Sequence, residues 1–146
     1  MSYVKLNAVL LLESKTFCSM LAKLMYDYQI ESTVIHDSEQ LFETNTDAAQ
    51  EQHPDIIFIS KESAVKSGCT PLAFIERLRQ QFHCPILLIS LEQDIGQIEQ
   101  YVSAGVTDVF SLAEIEQIDN FIRNFVSYRH TLADAENATV LLVEDS

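Results

Sequence analysis

Apolar residues in this chain follow two alternating spacings. Short runs of consecutive apolar residues, many of them β-branched, stand at 8–12 (AVLLL), 32–36 (STVIH), 55–60 (DIIFIS), 85–90 (PILLIS) and 107–111 (TDVFS). Such runs predict strands covered on both faces. Between them, apolar residues recur every three or four positions, the spacing of a helix with one buried face. Phe17, Leu21, Leu24, Met25 and Tyr28 share one such face. A shorter helix begins at Leu41 and Phe42 and ends before His53-Pro54. Leu72, Ile75, Leu78 and Phe82 mark a third, opened by Pro71. Ile95, Ile98, Tyr101 and Val102 mark a fourth, stopped by Gly105. Ile115, Ile118, Phe121, Ile122, Phe125 and Val126 mark the fifth and most regular.

Strict alternation of strand and helix predicts an α/β fold: a doubly wound, five-stranded parallel sheet of the flavodoxin-like kind, in the order 2-1-3-4-5. Function in such sheets sits outside the carboxyl ends of the strands, near the switch between strands 1 and 3. The residues there are Glu13 and Ser14, then Ser60, Lys61 and Glu62, then Ser90, then Leu112.

Beyond Tyr128–His130 the pattern changes. TLADAENA (131–138) is polar and alanine-rich and reads as a linker. TVLLVEDS (139–146) repeats the start of the chain without a gap: Val9 to Glu13 match Val140 to Glu144, and Ser14 matches Asp145. The expectation is a domain at 1–130, a linker at 131–138, and at 139–146 the first strand of a second domain of the same kind.

Composition narrows the function. A hydrophobic content of 47% excludes a disordered chain. No apolar run reaches the roughly 18 residues of a membrane span, and no small-residue cleavage site follows the first strand, so a cytoplasmic location is expected. Nine basic residues against 22 acidic ones give a net charge of −13, the wrong sign for nucleic acid. Cys18, Cys69 and Cys84 are odd in number and form no CxxC, and read as reduced packing thiols. His36, His53, His83 and His130 lack metal-ligand spacing. There is no GxGxxG, GxxxxGK[ST] or GxSxG, and none of Gly68, Gly96 and Gly105 stands in a strand-1 turn.

The five units, the acidic end of strand 1, and the stretches PDIIFIS (54–60), CPILLIS (84–90) and AGVTDVF (104–110) resemble the receiver domains of two-component response regulators, over about residues 6–128. The resemblance implies five groups in a working site. Two acids after strand 1 help hold Mg²⁺, an aspartate ending strand 3 takes the phosphoryl group, a Thr or Ser ends strand 4, and a lysine follows strand 5. A carboxylate is the nucleophile for phosphohistidine, and a hard cation on oxygen ligands neutralises the transferring group.

This chain departs from that pattern. Ser60 stands in the aspartate position, Glu13-Ser14 replaces the acid pair, and Leu112 replaces the lysine; only Ser90 fits. The aromatic switch position falls on Val109, with Phe110 beside it. The resemblance is therefore to a degenerate pseudo-receiver, a signalling module of a multidomain response regulator. It is expected to act by protein–protein or interdomain contact without aspartyl phosphorylation, to be no enzyme itself, and to hold no Mg²⁺. Two alternatives stand beside it: a receiver phosphorylated by a non-standard route, and a small-ligand sensor using the vacated acidic pocket. The partner would be another protein, or a downstream receiver or output domain of the same chain, such as a diguanylate cyclase. Helix 4, strand 5 and helix 5 form the face that receivers use for contacts, here through Ile98, Tyr101, Val109, Phe110, Phe125 and Tyr128, and leave open a homodimer.

Ser60 reads as a small polar residue hydrogen-bonded at a strand end. Glu13, Lys61 and Glu62 form a candidate weak cation or ion-pair site, in which Lys61 neutralises Glu13 in place of a metal. On that expectation Lys61→Ala lowers the urea midpoint of unfolding, and an unchanged midpoint contradicts it.

Overall fold

The computed structural model describes residues 5–36, 54–66, 68, 70–90, 95–111 and 113–145. The helix expected from Leu41 and Phe42, and the residues Cys69 and Leu112, lie outside these.

The strands are β1 (Leu6–Leu11), β2 (Ile30–Val34), β3 (Ile56–Ser60), β4 (Ile86–Ser90) and β5 (Asp108–Ser111). The helices are α1 (Lys15–Asp27), α2 (Lys61–Lys66), α3 (Pro71–Gln81), α4 (Ile95–Ala104) and α5 (Ile115–Asp145). All strand pairs are parallel, in the order β2-β1-β3-β4-β5. The expected topology is thus the observed one.

Strand periodicity divides the interior in two, because successive side chains point to opposite faces. Leu6, Ala8, Leu10, Ile56, Phe58, Leu87, Ile89 and Phe110 pack under α1 and α5, against Phe17, Leu21, Met25, Ile118, Ile122 and Phe125. Val9, Leu11, Ile57, Ile59, Ile86 and Leu88 face the other way, against Phe74, Ile75 and Leu78 of α3 and Tyr101 of α4. Every residue of β3 and β4 is buried, which explains their unbroken apolar runs. Strand β2 lies at an edge and alternates more weakly. It starts two residues earlier than the run at 32–36 suggests, because Ile30 is the buried residue that pairs with Leu6.

Two polar hubs fix the ends of the sheet opposite the candidate site. The Asp55 carboxylate accepts the Asn7 N–H at 2.8 Å and pairs with Arg129 of α5 at 2.8 Å. The Arg129 guanidinium also lies 5.7 Å from the centre of the Phe125 ring. Arg79 of α3 donates from Nε and Nη2 to the Gly105 carbonyl at 3.0 and 2.6 Å. Its Nη1 donates to the Phe82 and Cys84 carbonyls at 3.1 and 3.0 Å. One side chain therefore ties the end of α3, the start of β4 and the α4–β5 turn. Burial pushes the neighbouring Cys84 thiol up to about 11, with the Arg79 charge opposing it.

Helix α5 differs from expectation. It continues through 131–138 and to Asp145, where the sequence suggested a linker and a strand. No glycine or proline interrupts 113–146, and 131–138 holds three alanines, a leucine and a glutamate. A strand at 139–146 would also need a ladder partner for its backbone groups. At 1.5 Å per residue the helix is about 46 Å long.

Gly105 has φ +134, and a Cβ there would stand 2.8 Å from Arg79 Cβ. Gly105→Ala should destabilise the fold by about 1–3 kcal/mol through backbone strain and displacement of the Arg79 hub. Urea unfolding measures this, and a change below about 0.5 kcal/mol, the usual surface value, contradicts it.

Candidate functional site

The sheet register carries three side chains to one end of the core beneath α1 and α5. Leu11 pairs with Ile59, so Leu12 follows beside Ser60, and Ser60 in turn pairs with Ile89. Leu12, Ser60 and Ile89, with Phe17 of α1, line a cleft of about 250 Å³ whose remaining walls are Glu13, Ser14 and Glu62. Glu13, Ser14 and Glu62 are exposed, while Leu12, Phe17, Ser60 and Ile89 are buried. The cleft lies at the carboxyl ends of β1, β3 and β4, beside the switch between β1 and β3.

Both serines that line the cleft are helix caps. The Ser14 hydroxyl accepts the Phe17 N–H at 3.2 Å, at the start of α1. The Ser60 hydroxyl accepts the Ser63 N–H at 3.2 Å and shares a 3.0 Å hydrogen bond with the Ser63 hydroxyl. Helix α2 begins at the very next residue, Lys61. An N-cap oxygen accepting from the third helical residue satisfies a backbone donor that the helix leaves free. Ser60 is only 6% exposed, and so fits the expected small polar residue bonded at a strand end. The short helix α2 itself was not visible in the sequence. Its cue is the spacing of Ser60 and Ser63.

Ser90 ends β4 opposite Ser111 of β5, and both are buried. Ser90 follows Leu88 in strand parity, toward α3 and α4, and is not among the cleft walls. The Ser111 N–H donates to Glu114 Oε1 at 3.0 Å, and Glu114 N–H returns a 3.0 Å bond to the Ser111 carbonyl. Cys18 lies just behind the cleft, its thiol 3.7 Å from the Leu12 carbonyl. Burial first, then the Glu13 charge, pushes that thiol above its usual range.

Lys61 directs its ammonium over the Tyr101 ring, 5.3 Å from the centroid. Loss of stability in Lys61→Ala would therefore not by itself identify Glu13 as its partner. Glu13 and Glu62 do meet at one cleft.

The expected interaction face needs correction. Tyr101, Phe110 and Phe125 are buried, because the helix stripes and the β5 periodicity turn them onto the sheet. Ile98 and Val109 are half-buried. Tyr128 is 61% exposed, and Val102 and Leu132 join it as exposed apolar residues. The adjacent Val109 and Phe110 are not interchangeable. Val109 packs toward α3 and α4, whereas Phe110 packs edge-on against Phe121 of α5 at 6.0 Å. A shift of one residue along a strand exchanges faces.

No family model matches the chain, and no curated protein matches it. Solved structures do. A response regulator from Thermotoga maritima is 15% identical, with a TM-score of 0.69 over 85% of this chain and 99% of that one. The signal receiver domain of a DNA-binding response regulator from Colwellia psychrerythraea is 11% identical, with a TM-score of 0.69 over 84% and 99%. A putative response regulator from Chloroflexus aurantiacus is 17% identical, with a TM-score of 0.66 over 85% and 99%. The chain therefore has the fold of response-regulator receiver domains, as the resemblance implied. Among the described residues no helix is long and apolar enough to cross a membrane.

Ser60→Ala should cost about 1 kcal/mol in urea unfolding, the usual loss for an N-cap serine. An unchanged stability would show that the cap is idle. A double-mutant cycle of Lys61→Met with Tyr101→Leu should give a coupling of about 0.5–1 kcal/mol. A coupling of zero, together with a finite one between Lys61 and Glu13, would restore the ion pair expected from sequence.

Proposed function

We propose that this chain is a pseudo-receiver: a signal-transduction module of a multidomain response regulator that acts by protein–protein or interdomain contact, without aspartyl phosphorylation. One observation carries the reading. The position at the end of β3 that would take a phosphoryl group is Ser60, and its hydroxyl caps α2 and bonds to Ser63. A neutral serine without a neighbouring base is a poor nucleophile, and it cannot form an acyl phosphate.

The donor set supports the absence of a divalent cation. Among the described residues, Glu13 and Glu62 are the carboxylates lining the cleft, and serines occupy the other polar positions. Among the described residues no three His, Cys, Asp or Glu side chains converge on a metal position. Mg²⁺ demands a nearly ideal octahedron of oxygens, usually one or two carboxylates completed by waters and phosphate oxygens. On this reading no phosphoryl oxygens complete it.

Contacts would run through the outer surfaces of α4 and α5, where Val102, Tyr128 and Leu132 are exposed, with a homodimer as one form. The repeat of 8–14 at 139–145 supports a second receiver domain beginning near Thr139. A first receiver strand pairs on both sides, as β1 does here, so outside its own sheet this segment follows local helix propensity. The signalling reading places the module in the cytoplasm, with catalysis left to an output domain.

Incubation with acetyl phosphate and Mg²⁺, followed by intact-mass spectrometry, tests the proposal. The expected result is no phosphoryl mass gain, beside a functional receiver that gains one. A stoichiometric gain would establish the non-standard phosphorylation route instead.

A further inference from the structure

Helix α5 runs antiparallel to the strands, from the carboxyl end of β5 toward the end of the sheet where β1 and β3 begin. Its sheet-facing stripe is Ile115, Ile118, Ile122 and Phe125. The next position on that stripe, four residues on, is Arg129. From Ile115 to Arg129 the helix rises about 21 Å, close to the length of a six-residue strand at about 3.3 Å per residue. Arg129 therefore stands level with the lower edge of the sheet. Thr131 and Leu132 are exposed, and the helix continues to Asp145. Residues 130–145 add about 24 Å.

A charged bond closes the stripe at that edge. Arg129 Nη2 donates to Asp55 Oδ1 at 2.8 Å, and Asp55 Oδ2 accepts the Asn7 N–H at 2.8 Å. The Asp55 N–H returns a 2.7 Å bond to the Asn7 carbonyl. One carboxylate thereby joins α5 to β1 and β3, which the buried core fixes on both faces. Both side chains of the pair are half-buried, so salt screens them less than a surface pair. The guanidinium also lies 5.7 Å from the centre of the Phe125 ring. An arginine bonded through its planar group and set against a ring is held in orientation as well as in place. Apolar contacts are non-directional, whereas a charge-assisted hydrogen bond adds geometric specificity.

We propose that the Asp55–Arg129 pair is the joint that fixes the direction in which α5 leaves the sheet, and with it the position of whatever the distal helix carries. A tilt of about 10° at this joint moves the far end of the distal helix by about 4 Å. That exceeds the roughly 1–2 Å helix shifts that repack interfaces. Asp55 and Arg129 are positioning residues in this role. The use of the joint in signalling rests on the reading of the chain as a module that acts by interdomain contact.

Residual dipolar couplings of the ¹⁵N-labelled whole chain test the proposal. In the native chain the amides of residues 131–136 should fit the same alignment as those of β1, β3 and residues 115–128. Asp55→Asn removes the charge and keeps an acceptor for the Asn7 N–H, and Arg129→Gln removes the other partner. In each variant the couplings of 131–136 should shrink and depart from the sheet's alignment, while β1, β3 and 115–125 keep theirs. Arg129→Lys, which retains the charge without the planar group, should give a smaller loss than Arg129→Gln. The double variant should match either single one, because both remove the same bond. A distal helix that departs from the sheet's alignment in the native chain would overturn the proposal. So would unchanged couplings in the variants, or losses that add in the double one. Collapse of the sheet's own couplings in both single variants would overturn it too, by making the pair a general stabiliser. The phosphodonor experiment reads a different quantity. A chain that gains a phosphoryl mass loses the pseudo-receiver reading and keeps the joint, whereas a chain whose couplings ignore the pair loses only the joint.

Discussion

Burial of β1, β3 and β4 on both faces is the constraint on which the rest of the molecule depends. These strands have apolar side chains on each side, so the sheet requires helices above and below it. Parallel pairing then forces every connection to cross over, which places α1 and α5 on one face and α3 and α4 on the other. The polar ends of the strands are thereby gathered at one edge. The cleft at Leu12, Ser60 and Ile89 is a direct product of that register, not of any local loop design.

Within this frame the two site serines have structural duties. Ser14 caps α1 and Ser60 caps α2, so each hydroxyl satisfies a backbone N–H that its helix leaves free. The helix beginning directly at Lys61 depends on that cap, and it carries the Lys61 ammonium to Tyr101 and Glu62 to the cleft rim. Beside these caps lies a small, acid-rimmed and apolar-floored recess at the carboxyl ends of β1, β3 and β4.

Much of this was legible in the sequence. Unbroken runs such as DIIFIS and PILLIS identified the doubly buried strands, and the alternation of runs and helical stripes gave the sheet order. Glu13, Ser14, Ser60 and Glu62 were placed at one end by the strand-end rule, and the cleft brings them together. The contact face was less legible. A wide stripe on α5 does not reveal which positions the sheet consumes, and Phe125 proved to be core while Tyr128 did not. Helix α2 was missed because six residues are too few for a periodic signal. The strand expected at 139–146 was read from the match of this segment to the start of the chain, whereas the helix formed there follows local propensity.

The central claim is that the end of β3 is a structural cap and not a phosphoryl switch. The most direct measurement is the ¹H–¹⁵N spectrum of the chain before and after addition of Mg²⁺ with beryllofluoride, which mimics an aspartyl phosphate. The account predicts that the amides of Glu13, Ser60, Ser63 and Ser90 keep their positions. Saturable shifts at these amides, spreading to β5 and α4, would show a working switch and contradict it.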